Sequence, residues 1–397
     1  MQLRGARSSR GSAERKWEMA GMFDKLTIGA MSARNRIVRS ATAESLATPT
    51  GGLSPELLGL YGELAWGGVG TIITGYTYVL PDGKPSEGAM GLYDDSPMFR
   101  FRSLADVAHE NGARIVMQLV YGGSKSKLSA DDPRRISPAD AAPEDGVPNT
   151  TILGASCVEH PATHLIPTEA TPDDLAALAD AFGQAAMRAR ACGFDGVELH
   201  VAHGYLLSQF LSPRFNRRQD EFGGSVENRA RLAVQCVRAI REQAGAGYPV
   251  FAKLNCWDDW DDPDGERGGL SRRESAQVAA LLVEAGASCI DVSGDWHAAA
   301  HAECEGEPYF AGFGAQLASQ LSVPVIVTGG WRDPATIDVH LQSDGIAAVA
   351  MSRPLICEPA LVNRWRDGDM RPSACTGCGK CQQAVGVPCP IRERSMA

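Results

Sequence analysis

The chain has 397 residues, 44% hydrophobic and 22% charged, an ordinary globular composition for one large domain or two smaller ones. Its formal net charge of −10 offers no basic face to nucleic acid or to an anionic membrane. No run approaches the roughly 18 apolar residues of a membrane span.

In chain order, residues 1–21 come first and carry Arg4, Arg7, Arg10, Arg15 and Lys16 without an apolar stretch. They read as a disordered extension ahead of Met22, not as a secretory signal, so a cytoplasmic location is expected. Strand-like runs follow at 35–40, 69–79, 113–120, 196–202, 250–255, 287–294, 323–330 and 347–353. Most are rich in Val and Ile without strict alternation, as strands buried on both faces should be. Helical runs lie between them. Their polar or proline-bearing starts, at Ser54-Pro55, Thr171-Pro172, Ser225 and Ser271, fit helix capping, as do glycine ends such as Gly193 and Gly286.

Eight strands, each followed by a helix, predict an α/β fold of the (β/α)8 TIM-barrel type over residues 22–370. An open doubly wound sheet would announce itself with a glycine-rich turn after the first strand, and the run from Asn35 to Ser45 has none. About fifty residues, 121–170, separate the third strand from its helix. This excursion is expected to be a lid over the barrel top, with a small hairpin.

Catalytic groups in such barrels come from the C-terminal strand ends. Strand one ends near Thr42, strand two passes Gly75 and strand three carries Gln118 and then Tyr121. Strand five carries Lys253. It is read as a charge held against a developing anion, as an imine-forming amine, or as a lysine reaching the rim. Gly329 and Gly330 after strand seven, with Ser352 and Arg353 after strand eight, stand where barrels bind phosphate. Gln118 is either an amide that reads a planar ring or a buried strand residue tied to backbone.

Strand four ends in His200, His203 and Tyr205. Zinc would want a third ligand at recognisable spacing, which is missing. Two imidazoles and a phenol are better suited to polarising a carbonyl and protonating the carbon beside it.

The segment from His200 to Leu232, HVAHGYLLSQFLSPRFNRRQDEFGGSVENRARL, resembles the signature of the Old Yellow Enzyme family of flavin-dependent ene-reductases. IITGYTYV, RIVMQLVYGG, CGFDGVELH, VTGGWRDP and VAMSRPLICEP follow that family's order. The resemblance implies a barrel holding FMN, with NADH or NADPH as reductant and a small enone or enoyl compound as substrate. It implies Thr42 and Gly75 beside the flavin ring, Gln118 on its pyrimidine edge and Lys253 where the family usually has Arg. Gly329, Gly330, Ser352 and Arg353 align with its phosphate site, although Ser352 stands where glycine is commoner. His200 and His203 match the carbonyl-binding pair and Tyr205 the proton donor. Tyr121 stands where many members have His. The substrate pocket is expected to be lined by the 121–170 loop, Trp296, His297 and Trp331. A homo-oligomer is a further expectation.

The tail, residues 371–397, places Cys375, Cys378, Cys381 and Cys389 at C-x2-C-x2-C-x7-C, followed by Pro390. Such spacing allows a [4Fe–4S] cluster, a four-thiolate zinc site, or neither. It is similar to the cluster segment of the branch that includes 2,4-dienoyl-CoA reductase and trimethylamine dehydrogenase, in which the last spacing is longer and a second dinucleotide-binding domain follows. The other seven cysteines are scattered and read as buried or free thiols of a reducing compartment. Rival readings are an iron–sulfur flavoprotein amine dehydrogenase or demethylase, a flavin-free lyase using Lys253 as an imine-forming amine, and a barrel that binds without catalysis.

Overall fold

The computed structural model describes residues 20–136, 144, 146–259, 262–294, 308–382 and 385–392. Eight parallel strands form its centre: β1 (Ile37–Arg39), β2 (Thr71–Ile73), β3 (Arg114–Val120), β4 (Gly196–Val201), β5 (Val250–Asn255), β6 (Cys289–Ser293), β7 (Val325–Thr328) and β8 (Ala348–Met351). Each pairs with the next, and β8 pairs with β1, closing the barrel. The expected (β/α)8 barrel is therefore the observed fold.

The helices follow in turn: α1 (Pro55–Trp66), α2 (Met98–Glu110), α3 (Pro172–Ala191), α4 (Val226–Gln243), α5 (Arg272–Glu284), α6 (Ala311–Gln320), α7 (Pro334–Ser343), α8 (Arg353–Cys357) and α9 (Leu361–Arg366). Ser54, Thr171, Ser225 and Ser271 each cap a helix N-terminus through the side-chain oxygen. Thr171 and Ser271 do so in reciprocal capping boxes with Asp174 and Glu274. Each such cap satisfies amide donors that would otherwise lack partners.

Two buried layers hold the barrel together. One lies between the strands and the helices, and includes Leu57, Leu64, Phe101, Phe182, Ile240 and Leu317. The other lies inside the barrel, where Val38, Ile73, Val116, Phe251 and Ile326 meet Leu26, Ile28, Met31 and Ala33. Those last four belong to an antiparallel hairpin, Leu26–Ile28 with Met31–Ala33. The interior on that side is thus apolar, and its polar side chains gather around the strands' C-terminal ends.

Two local expectations need correction. The run 69–79 does not form one strand: it breaks after Ile73 and resumes as Thr77–Tyr78 beside the end of β3. Side chains capture the backbone at the break, for Gly75 N–H donates to Tyr61 Oη at 2.7 Å and Thr74 Oγ1 donates to Gly75 O at 2.9 Å. The excursion after β3 contains no hairpin among its described residues either. Leu153–Gly154 pairs with Thr168–Glu169 in parallel, and an isolated antiparallel bridge joins Arg135 to Thr150. Ile152, Leu165 and Ile166 are fully buried beneath it, so this segment is a packed cover.

Candidate active site

Strand register brings the polar interior together. Glu198 of β4 stands beside Gln118 of β3, His200 of β4 beside Lys253 of β5, and Lys253 beside Asp291 of β6. Glu198 and His200 are two residues apart on one strand and therefore share a face. Gln118 Nε2 donates to Glu198 Oε2 at 2.6 Å. Lys253 Nζ is ion-paired with Asp291 and lies 3.7 Å from Glu198 Oε1, an oxygen with no hydrogen-bond partner. Thr328 Oγ1 donates to the other oxygen of Asp291 at 2.7 Å.

Glu198, Lys253 and Asp291 are buried, so two carboxyl groups share one ammonium out of water. A net buried negative charge is costly, and one carboxyl is expected to hold a proton. That carboxyl is Glu198: burial first pushes its pKa up to about 8, with Asp291 adding to the rise and Lys253 and Gln118 opposing it. For Lys253, burial works against the charge, but Asp291 and Glu198 outweigh it and hold the ammonium above the ordinary lysine value. Lys253 therefore does not reach the rim. An imine-forming amine must be neutral, so this clamp removes the chemical basis for the lyase reading.

Above this layer, His200, His203 and Tyr205 converge as expected. The ring centroid of His200 lies 5.0 Å from that of His203 and 4.9 Å from that of Tyr205, both edge-on. Burial is the first cause that depresses both imidazoles, with Lys253 and Lys125 adding, and His203 falls to about 3. Both rings are therefore neutral near pH 7, and their tautomers follow from their partners. Ala202 N–H donates to His200 Nδ1 at 3.4 Å, which leaves the proton on Nε2. His200 Nε2 then faces His203 Nδ1 at 3.4 Å, and His203 Nε2 faces Ser293 Oγ at 2.9 Å. At rest the pair forms a line of donors ending on Ser293. His200 can turn its N–H to an incoming oxygen by giving up only the long contact to His203. His203 itself sits at φ +58°, a left-handed conformation that is uncommon for a non-glycine residue.

Tyr205 is held protonated well above the ordinary phenol value, first by burial and then by Tyr76. Lys125, in the turn after β3, donates to His203 O at 2.6 Å and lies 5.5 Å from the Tyr205 ring centroid. Neither Tyr76 nor Lys125 carried a sequence signal. Nothing in spacing links residues 76, 125 and 205, which meet only at the mouth of the closed barrel.

The remaining expected residues form the rim. Thr42 Oγ1 and Ser352 Oγ are 2.8 Å apart, which ties the end of β1 to the end of β8. Gly329 and Gly330 have φ of +110° and +83° and turn the chain after β7. Arg353 lies at the start of α8 and donates to Tyr309 Oη at 3.1 Å and to Gly377 O at 3.2 Å. A Cβ on Gly75 would fall 2.4 Å from Glu44 Oε2 and 2.6 Å from Thr42 O, so only glycine fits there. Glu44 is itself buried, ion-paired with Arg39 at 3.2 Å and hydrogen-bonded by Tyr61 at 3.2 Å.

Tyr121 and Trp331 stand apart from this set. Tyr121 turns away from the imidazoles and donates to Asp82 at 2.7 Å, while accepting from Leu153 N–H at 3.1 Å. Trp331 does not line the mouth: it is 2% exposed, donates to Val327 O at 2.7 Å and packs edge-on against His340. Trp296, expected beside it, lies outside the described residues, as does His297.

The tail cysteines lie near one another at the end of α8, with Cys375 packed against the group that holds Cys381 and Cys389. Cys378 is exposed, whereas Cys381 and Cys389 are buried with Val387 against α8. The thiol of Cys389 packs beside that of Cys357, at the end of α8. Burial first, and then this contact, pushes the Cys357 thiol up to about 12. Among the described residues no group of three or more His, Cys, Asp or Glu side chains is arranged to hold a metal ion.

Residues 21–370 match the NADH:flavin oxidoreductase / NADH oxidase family. The chain is 33% identical over 352 residues to an NADH oxidase of Thermoanaerobacter brockii, covering 87% of this chain and 51% of that protein. It is 27% identical over 409 residues to a 4,4'-dithiodibutanoate disulfide reductase of Rhodococcus erythropolis, covering 94% of this chain and 95% of that protein. The solved structure of a morphinone reductase superposes with a TM-score of 0.71 at 26% identity, covering 91% of this chain and 94% of that one. Several curated relatives are longer, and the chain spans about half the length of the NADH oxidase.

Proposed function

The chain belongs to the NADH:flavin oxidoreductase / NADH oxidase family, and from that footing we propose that it is an FMN-dependent NAD(P)H oxidoreductase that reduces the C=C bond of α,β-unsaturated carbonyl compounds. The observation that carries this reading is the convergence of His200, His203 and Tyr205 above Lys253 and Gln118.

The residues present fit a flavin. Gly75 packs its bare Cα against Glu44 and the Thr42 carbonyl, which sets Thr42 at the mouth of the barrel. Gln118 gives one amide N–H to Glu198, which leaves its second N–H and its carbonyl oxygen to meet an acceptor and a donor on a ring edge. Lys253 supplies positive charge by the pyrimidine edge, moderated by its bond to Asp291. Gly329, Gly330, Ser352 and Arg353 suit the phosphate, with small side chains and one guanidinium. When bound, FMN supplies the two-electron chemistry that accepts hydride from a nicotinamide and delivers it to carbon.

The chain's own residues aim that chemistry. His200 turns its Nε2–H from His203 to the substrate carbonyl, and His203 is held ready by Ser293. Negative charge that develops on the oxygen meets N–H donors and the field of two lysines. Tyr205, kept protonated by burial, gives its proton to the α-carbon. The morphinone reductase likeness over nearly its whole length supports the assignment.

The near full-length match to a disulfide reductase favours a second reading, in which the electron acceptor is a disulfide. One experiment separates the two. The FMN-loaded enzyme is reduced anaerobically with NADPH or NADH and mixed with enones, enoyl thioesters or 4,4'-dithiodibutanoate. Reoxidation by the alkenes with formation of the saturated product is expected. Reoxidation by the disulfide alone would replace the first reading with the second.

A further inference from the structure

Behind the rim of the candidate site lies an ion pair that the chemistry proposed above does not use. Arg39, Glu44 and Tyr61 are 1%, 3% and 0% exposed, so a guanidinium and a carboxylate sit out of water beside a phenol. Arg39 ends β1, Glu44 follows five residues later and Tyr61 comes from α1. The inference here rests on the cofactor placement proposed above, with Thr42 and Gly75 towards the flavin ring and Ser352 towards the phosphate.

The three side chains make a continuous run of hydrogen bonds between two parts of the rim. At one end, Gly75 N–H donates to Tyr61 Oη at 2.7 Å, and Tyr61 Oη donates to Glu44 Oε2 at 3.2 Å. In the middle, Arg39 Nη2 donates to Glu44 Oε1 at 3.2 Å. At the other end, Arg39 Nη1 donates to Ser352 O at 2.8 Å. Ser352 Oγ lies 2.8 Å from Thr42 Oγ1, which returns the run to the end of β1. The chain segments that leave β1, β2 and β8 are thus fastened to one another through side chains. A buried ion pair is a poor device for stability alone, since apolar side chains of similar size usually hold a fold as well or better. Here the guanidinium even keeps its Nε without a hydrogen-bond partner among the described residues, which carries a desolvation cost. What the charged groups supply and apolar ones cannot is direction, because they fix where Gly75 N–H and Ser352 O point.

We propose that Arg39, Glu44 and Tyr61 form a bracket that sets the ring end and the phosphate end of the FMN site in fixed relation to each other. All three are positioning residues. Tyr61 acts through Gly75, Arg39 acts through Ser352, and Glu44 joins the two. No bond forms or breaks in this role, and no proton or electron moves. Its effect is preorganisation: rim segments that are already held in the binding arrangement need less ordering when the cofactor arrives. The same carboxylate also explains the demand for glycine at position 75, because a Cβ there would fall 2.4 Å from Glu44 Oε2.

The bracket predicts a split that a packing role does not. Two quantities are measured on each full-length variant: the denaturant stability of the flavin-free protein and the Kd for FMN by titration. The visible absorption of the bound flavin is recorded alongside, since it reports the surroundings of the ring. Arg39→Met combined with Glu44→Gln removes both charges together and keeps an acceptor for Tyr61. This pair of changes is expected to leave the unfolding midpoint close to that of wild type and to raise the FMN Kd about tenfold or more. Tyr61→Phe removes a single hydroxyl and is expected to raise the Kd about three- to tenfold and to alter the absorption of the bound ring. The inference is overturned if both variants bind FMN as tightly as wild type. It is equally overturned if the Kd rises only in step with a loss of flavin-free stability, because upkeep of the fold would then suffice. Should the double variant fail to fold, Tyr61→Phe decides, and a wild-type Kd for it overturns the inference. Arg353→Met is the control for the underlying cofactor placement. If it weakens FMN binding while the bracket variants bind normally, the bracket alone fails. If the wild-type chain itself takes up no FMN, the cofactor placement fails and takes the bracket with it.

Discussion

Lys253 on β5 and Asp291 on β6 stand in register, and the ammonium of one is ion-paired with the carboxylate of the other inside the closed barrel. Glu198 brings a second buried carboxyl group to the same ammonium, 3.7 Å away. This trio lies beneath the two imidazoles and sets the charge of the whole site.

Removing the cation strands the carboxyls. Lys253→Met is expected to destabilise the fold by about 3–5 kcal/mol, the usual cost of breaking a buried pair. Adding Asp291→Asn to it removes the stranded charge and should recover a large part of the loss. Denaturant unfolding of the flavin-free protein checks this. Equal stability of the single and double variants would show that Asp291 carries no charge that Lys253 compensates.

The role proposed for His200 places it on the alkene and not on the nicotinamide. His200→Ala is expected to slow reoxidation of reduced flavin by an enone about 10²–10³-fold, the usual loss for one oxyanion donor. Reduction of the flavin by NAD(P)H should change by only a few fold. Stopped-flow traces of the two half-reactions separate these effects. Equal slowing of both would assign His200 to flavin positioning.

Gly75 cannot carry a side chain. Gly75→Ala would drive a methyl group to within 2.4 Å of Glu44 Oε2 and 2.6 Å of Thr42 O. Overpacking of this kind costs about 1–3 kcal/mol. Displacement of Thr42 is also expected to loosen the flavin site, so the variant should retain less FMN through gel filtration than wild type.

Stability depends on pH through Glu198 in a definite direction. Its folded pKa of about 8 stands above the ordinary glutamate value near 4.3. The folded chain therefore keeps a proton that the unfolded chain has lost between those limits. This contribution is fully present below about pH 4.3 and is lost as pH rises through 8, at up to about 1.4 kcal/mol per pH unit. His203 works oppositely: its folded pKa of about 3 adds stability above the ordinary value near 6.5, lost as pH falls towards 3. Because the two slopes overlap, the informative quantity is wild type minus Glu198→Gln. That difference in unfolding free energy should fall steadily from pH 5 to pH 8 and then level off. A flat difference would mean that Glu198 does not hold the proton.

Much of the architecture was legible because it is written in local chemistry. Seven of the eight strands begin and end within a few residues of the Val- and Ile-rich runs, since strands buried on both faces need apolar side chains throughout. The helix starts at Ser54, Thr171, Ser225 and Ser271 were legible because a cap is a contact between residues two or three apart. The break at Gly75 was not, because the group that captures its N–H is Tyr61, fourteen residues away on α1. The tail was legible only in part for a related reason: spacing shows four cysteines within fifteen residues, but not that Cys357 of α8 packs with Cys381 and Cys389.

By itself, then, the amino-acid order determined the barrel, its helix caps and the His200, His203 and Tyr205 set at the end of β4, because each depends on periodicity or on neighbours along one strand. Tertiary structure alone decided which charges share Lys253 and which donors the imidazoles already use. Those partners come from different strands and loops, and barrel closure brings them within hydrogen-bond distance regardless of their separation in sequence.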